Sequence, residues 1–145
     1  NSTSDAWFEG ISELLHDLKA QGLKLAVATG KNRRGLDRVI AKTQSTHLFD
    51  VTRAANETRS KPDPLMLQEI LTATGVSVEQ AVMIGDSSYD LEMAQRLGMP
   101  RIGVGYGVHS VEVLQKFQPL TIAKNVQELH SFLRGYAQLS TVDVA

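Results

Sequence analysis

The chain has 145 residues, 42% of them hydrophobic and 21% charged, which gives room for one domain core and not for two. A net charge of −1 excludes a global field that would draw it onto nucleic acid or an anionic membrane, and no apolar run is long enough to span a bilayer. The absence of cysteine excludes disulfides, zinc–thiolate centres and a cysteine nucleophile, and it fits a reducing, cytoplasmic setting.

The opening residues, 1–6, are mostly polar and read as a flexible linker. Ile11, Leu14, Leu15 and Leu18 then recur at helical spacing, and Gly22 is placed to stop that helix. Leu23 to Thr29 is a short apolar run ending in a hydroxyl, the pattern of a buried strand. Leu36, Val39 and Ile40 mark a second helix; the basic residues Lys31, Arg33 and Arg34 before it read as a solvated helix start. Asp50 to Ala55 is a weaker strand. Pro62 and Pro64 break the chain and suit the start of a third helix, with Leu67, Ile70 and Leu71 on its inner face and Gly75 at its end. Ala81 to Ile84 is the clearest strand, closed by Gly85-Asp86. A helix with Leu91, Ala94 and Leu97 follows, then a strand over Pro100 to Val104. Ser110 and Asn125 suit helix N-caps, and Asn125 with Glu128 resembles a capping box. Val126, Leu129, Phe132 and Leu133 give the last helix its stripe. Residues 137–145 read as a flexible tail, although Val142 and Val144 alternate as in a strand.

Strands alternating with helices through short connections predict an α/β domain over residues 1–145, a Rossmann-like parallel sheet with helices on both faces. In such sheets ligands bind beyond the carboxyl ends of the strands. Those ends bring one hydroxyl (Thr29), one ammonium (Lys61 in Ser60-Lys61-Pro62-Asp63-Pro64) and two carboxylates (Asp86 and Asp90) toward a single edge. Each has an ordinary reading. Thr29 or Asp86 would suit the cap of the helix that follows, and Lys61 would suit a solvated loop. Asp90, however, lies one helical turn beyond Asp86. Two carboxylates that close repel each other, and a hard cation such as Mg²⁺ would relieve the repulsion.

Val27-Ala28-Thr29-Gly30-Lys31, then Ser60 to Pro64, then Ile84-Gly85-Asp86-Ser87-Ser88-Tyr89-Asp90 resemble motifs two, three and four of the haloacid dehalogenase superfamily. The likeness is to its phosphoglycolate phosphatase-like branch and runs from about Phe8 to about Leu133. The resemblance implies a Mg²⁺-dependent phosphohydrolase acting on a small phosphorylated metabolite through an aspartyl-phosphate intermediate. It implies that Thr29 and the Gly30 amide bind the phosphoryl group and that Lys61 neutralises phosphate and nucleophile. It assigns Asp86 to the metal, and Asp90 to the metal or to orienting the lysine and bound water. These roles suit phosphoryl transfer, which is catalysed by positioning and charge stabilisation.

One part of the pattern is lacking. The family's nucleophile and general acid/base form an Asp-x-Asp motif on an upstream strand, and this sequence contains no Asp-x-Asp. Asp5, Asp50 and Asp143 are no substitutes by position. Trp7-Phe8-Glu9-Gly10-Ile11 resembles the return from an inserted cap domain. The expectation is therefore a core without its first, central strand and without its cap, inactive by itself. A non-catalytic phosphate-binding or regulatory module on the same fold is the alternative. The central slot would be closed by direct pairing of its neighbours, filled by the tail or by a second chain, or left open. The expected width is two strand spacings. Gly103, Gly105 and Gly107 suit a loop near the phosphate site and do not form a dinucleotide fingerprint. His16, His47, His109 and His130 lack metal-ligand spacing and read as structural or surface groups.

Overall fold

The computed structural model describes residues 2–44, 46–58, 61, 63–104, 111–135 and 141–144. Among the described residues, six strands and six α-helices follow in the order α1 (Ser2–Ala20), β1 (Lys24–Ala28), α2 (Arg33–Thr43), β2 (Val51–Arg53), α3 (Leu65–Thr74), β3 (Ala81–Gly85), α4 (Ser88–Leu97), β4 (Arg101–Val104), α5 (Val111–Gln115), β5 (Ile122–Ala123), α6 (Val126–Gly135) and β6 (Thr141–Val144). The strands form one sheet in the order β2-β1-β6-β3-β4-β5, and every pair is parallel.

Local sequence explains the punctuation. Gly22 stops α1 with a φ of 87°, a left-handed conformation that glycine adopts without a Cβ penalty. Its amide reaches Lys19 O at 2.9 Å, and the Leu23 amide reaches Leu18 O at 3.2 Å. The chain then turns directly into β1, where four consecutive residues are buried. Pro64 precedes the first turn of α3, where its missing N–H costs nothing. The Asp63 carboxylate accepts from the Leu65 amide at 2.9 Å. At α6 the Asn125 side chain accepts from the Glu128 amide at 2.8 Å, and the Glu128 carboxylate reaches back to the Lys124 amide at 2.8 Å.

Successive strand residues face opposite sides of the sheet, and each side has its own apolar layer. On one side Ile11, Leu14 and Leu18 of α1 and Leu129 and Leu133 of α6 pack over Leu25, Val82, Ile84 and Ile102. On the other, Met66, Leu67 and Ile70 of α3 and Met93 and Ala94 of α4 pack over Ala26, Ala28 and Met83. Both layers reach from β1 to β3 and so bridge the strand between them.

That strand is β6. Leu25, Val142 and Val82 form one register row; Ala26, Asp143 and Met83 the next; Val27, Val144 and Ile84 the third. The two neighbours do not pair with each other, and their separation is two strand spacings, about 10 Å. Thr141–Val144 thus makes a central strand inside the stretch read from sequence as a flexible tail. The helix α1 likewise begins within residues 1–6, read as a linker. For β6 the physical reason is backbone pairing with β1 and β3, partners that stand far away in the sequence. The expected N-cap Ser110, together with Gly105, Gly107 and His109, lies outside the described residues.

Candidate phosphate and metal site

The sheet's carboxyl edge is where the sequence candidates meet. The third register row ends at Val27 and Ile84. Two positions further along stand Thr29 on one side of β6 and Asp86 on the other. Thr29 is 8% exposed. Its amide donates to Arg53 O at 3.2 Å, and its hydroxyl oxygen accepts from the Lys31 amide at 3.1 Å. This local turn fixes the hydroxyl at the strand end. It does not cap α2: Asn32 does, accepting from the Gly35 amide at 2.8 Å. Gly30 follows with open space where a Cβ would stand.

Beyond β3 the chain turns into α4 through Gly85, Asp86 and Ser87. Ser87 is the N-cap. Its hydroxyl accepts from the Asp90 amide at 3.3 Å, and its amide donates to Asp90 Oδ2 at 3.3 Å, a reciprocal capping box. Asp86 is therefore not the cap of α4, and its carboxylate remains at the edge. Asp90 is buried, with a side chain only 2% exposed, and its Oδ1 receives the Lys61 ammonium, itself 12% exposed. A buried charge needs such a partner.

Gly85 makes the approach possible. A Cβ at that position would come within 2.8 Å of Asp90 Oδ2, 2.9 Å of its Cγ and closer still to its Cβ, so only glycine fits while Asp90 points back toward the strand. The sequence reading placed Gly85 at the strand end and Ser87 within the motif Ile84 to Asp90, and gave neither a role in positioning Asp90. The available signal was Ser-x-x-Asp over Ser87 to Asp90, a capping-box spacing that forces the acid back over the preceding turn.

Lys61, Asp86 and Asp90 form one electrostatic group. Burial pushes the Asp86 carboxyl above the ordinary carboxylate range. The negative charge of Asp90 adds to this, and the pull of Lys61 does not cancel it. A cation at Asp86 would remove that penalty. Mg²⁺ keeps several waters and takes one or two carboxylates, so Asp86 fits as its anchor. Both Asp90 oxygens are already engaged, by Lys61 and by the Ser87 amide. These contacts suit an orienting role for Asp90 and leave each oxygen a further lone pair that a metal could use. Among the described residues no three histidine, aspartate or glutamate groups converge on one metal position.

His130 and His16 have other partners. His130 Nε2 contacts Asp17 Oδ2 at 2.6 Å, tying α6 to α1, and His16 Nδ1 lies 2.8 Å from Ser12 O. Arg33 of the basic cluster pairs with Asp37 at 3.1 Å and donates to the Thr52 hydroxyl at 2.9 Å. No helix among the described residues is long and apolar enough to cross a membrane.

The model of the haloacid dehalogenase-like hydrolases matches residues 3–104, well over half of the chain, and includes Thr29, Lys61, Asp86 and Asp90. Pyrophosphatase PpaX of Halalkalibacterium halodurans is 28% identical over 123 residues, 84% of this chain and 57% of that protein. Phosphoglycolate phosphatase of Aliivibrio fischeri is 28% identical over 127 residues, 87% of this chain and 56% of that protein. The crystal structure of a predicted phosphatase from Clostridium acetobutylicum superposes with a TM-score of 0.81 at 28% identity, over 89% of this chain and 60% of that one. The chain thus spans little more than half the length of these relatives. The shared sheet, the motif order and the matched residues lead to one assignment: this chain belongs to the haloacid dehalogenase-like hydrolases.

Proposed function

We propose that this chain is the phosphate- and metal-binding core of a Mg²⁺-dependent phosphatase of phosphoglycolate phosphatase-like type, acting on a small phosphomonoester through an aspartyl-phosphate intermediate. The observation that carries the reading is the Lys61–Asp90 pair beside Asp86, on the same sheet edge as Thr29. A phosphoryl group between Thr29 and Asp86 would receive hydrogen bonds from the Thr29 hydroxyl and the Gly30 amide and face the Lys61 ammonium. Asp90 holds that ammonium in place. Asp86 would hold Mg²⁺, which when bound neutralises phosphoryl charge. The gap of about 10 Å between the two strand ends leaves room for the phosphoryl group. Attack needs a carboxylate nucleophile. With no Asp-x-Asp in these 145 residues, this chain alone binds and does not turn over.

The test has two parts. Calorimetry with inorganic phosphate and Mg²⁺ is expected to give binding that Lys61→Met weakens at least tenfold. Binding indifferent to Lys61 would remove the phosphate site. An aryl phosphate assay is expected to give no turnover. Turnover abolished by Asp86→Asn would mean that a group of this chain attacks phosphorus.

A second reading, a non-catalytic phosphate-binding or regulatory module, is favoured by one observation. The central slot holds Thr141–Val144, whose sequence carries no Asp-x-Asp. An Asp-x-Asp strand encoded upstream of residue 1 would support the hydrolase, and its absence the module.

A further inference from the structure

The four histidines read from the sequence as structural or surface groups, yet the fold brings two of them together. His16 stands on α1. His47 stands in the single turn Thr46–Leu48, between α2 and β2. Their ring centroids are 5.8 Å apart, and the rings are inclined at 51° instead of stacked. Packing beneath fixes both positions. Leu14, Leu15 and Leu18 flank His16 in the sequence, and Leu48 follows His47; all four are buried in the same apolar layer. Lys19, nearly one turn beyond His16, pairs with Asp50, just beyond His47, at 2.8 Å. The two segments are thus held at a set spacing, and both imidazoles remain exposed on its outer side.

One imidazole already has the tautomer of a metal ligand. His16 Nδ1 lies 2.8 Å from Ser12 O. A carbonyl only accepts, so this nitrogen carries the proton, and in the neutral ring Nε2 keeps its lone pair on the side away from Ser12. Ligating histidines are commonly oriented in this way, with the other ring N–H donated to a carbonyl or carboxylate. Among the described residues neither ring nitrogen of His47 has a hydrogen-bond partner. Metal–nitrogen bonds of about 2.0–2.1 Å put the centroids of two imidazoles on one ion about 5–6 Å apart, and 5.8 Å falls in that range. Among the described residues no third histidine, aspartate or glutamate joins the pair, so water completes the coordination. Imidazole suits late divalent ions such as Ni²⁺, Cu²⁺ and Zn²⁺, with Cu²⁺ held most tightly, whereas Mg²⁺ prefers oxygen.

We propose that His16 and His47 form a two-histidine site for a late divalent transition-metal ion, with water in the remaining positions. The ion clips α1 to the turn before β2. Asp50, beside that turn, precedes β2 and accepts from the Leu25 amide near the start of β1. The site therefore lies toward the amino edge of the sheet, opposite the edge that carries Thr29 and Asp86. It is independent of the phosphatase reading.

The test is calorimetry of the chain with Cu²⁺ at neutral pH in excess Mg²⁺, which competes for carboxylate oxygens and leaves imidazoles free. The expected result is a Cu²⁺ site that either His16→Gln or His47→Gln weakens about tenfold or more. The double variant should bind little more weakly than either single one, because losing one imidazole already ends the chelation, and partners in one site are not additive. Both side chains are exposed, so the metal-free melting temperatures of the variants should match that of the parent. Only the rise on adding Cu²⁺ should be lost. Binding unchanged by both substitutions would overturn the proposal, because the ion then sits on other groups. So would a loss confined to one of the two, which describes a single-imidazole contact. Pulsed EPR of the parent with one equivalent of Cu²⁺ needs no variant: two coordinated imidazoles are expected, and one or none overturns the proposal.

Discussion

Gly85→Ala tests whether the close approach of Asp90 to the end of β3 is as tight as described. The added methyl would lie 2.8 Å from Asp90 Oδ2 and 2.9 Å from Cγ, where an ordinary van der Waals contact needs 3.4 Å or more. Neither partner can give way cheaply. All five residues of β3 are buried, and Asp90 is held by Lys61 and by the Ser87 amide. Overpacking of this kind costs about 1–3 kcal/mol. If Asp90 moves, its buried pair with Lys61 is disturbed as well, and losing a partner in such a pair costs about 3–5 kcal/mol. The expected loss is therefore about 2–4 kcal/mol, read as a drop in the urea midpoint at unchanged m-value. The clash is specific to one neighbour, so a double-mutant cycle isolates it. Asp90→Gly alone is destabilising because it strands the Lys61 ammonium. In that background, however, Gly85→Ala should cost at least 1 kcal/mol less than in the parent. Additivity of the two changes within about 0.5 kcal/mol, or a Gly85→Ala variant as stable as the parent, would refute the packing argument.

Lys61→Met leaves the buried Asp90 carboxylate without its cation and is expected to cost about 3–5 kcal/mol, measured by urea denaturation at neutral pH. Asp50 supplies a pH signature. Burial pushes its carboxyl up, but hydrogen bonds from Lys19 at 2.8 Å and the Leu25 amide at 2.9 Å outweigh this and hold it below the ordinary value. A depressed folded pKa contributes stability above the unfolded pKa, and this is lost as pH falls through the folded one. Asp50→Asn should therefore be less stable than the parent at neutral pH, on the order of 1 kcal/mol after solvent screening. The two should converge as pH falls below the ordinary aspartate range, and a gap independent of pH would contradict the ion pair. Mg²⁺ at tenfold excess over its dissociation constant should stabilise the parent by about 1.4 kcal/mol, seen as a rise in melting temperature. Asp86→Asn should lose that rise, and a metal response untouched by the substitution would place the cation elsewhere.

Most of the sheet was legible because burial leaves a local trace. Leu25 to Ala28 and Ala81 to Ile84 are continuous apolar runs, as parallel strands covered on both faces must be. The remaining strands left a weaker trace: β5 was not read at all, and the tail was one of several candidates for the central slot. β5 is only Ile122 and Ala123, too short for a periodic pattern. β6 has an alternating sequence but lies at the centre of the sheet because β1 and β3 leave backbone groups open there, a property of residues far away in the chain. At the site, the residue types and their spacing brought Lys61, Asp86 and Asp90 together. What the sequence left ambiguous was the division of labour. Thr29 and Asp86 were reasonable caps for α2 and α4 until Asn32 and Ser87 proved to hold those positions. The same capping box turns Asp90 inward, where its carboxylate receives the Lys61 ammonium. Capping depends on which of several adjacent polar residues adopts extended backbone, and composition does not decide that.

The placement of β6 also sets a timetable for folding. β1 pairs with residues 141–144, so the middle of the sheet stays unfinished until those residues, which follow β1 to β5 in sequence, have been synthesised. Until then a nascent chain presents the facing edges of β1 and β3, two parallel ladders with apolar side chains on both sides. Unpaired edges of that kind invite pairing with neighbouring chains. Contacts so distant in sequence also carry a high loop-closure cost, which slows the final step. Heterologous expression should therefore give more soluble protein when synthesis is slowed by cooling, and inclusion bodies should be the characteristic product of fast synthesis at high ribosome load.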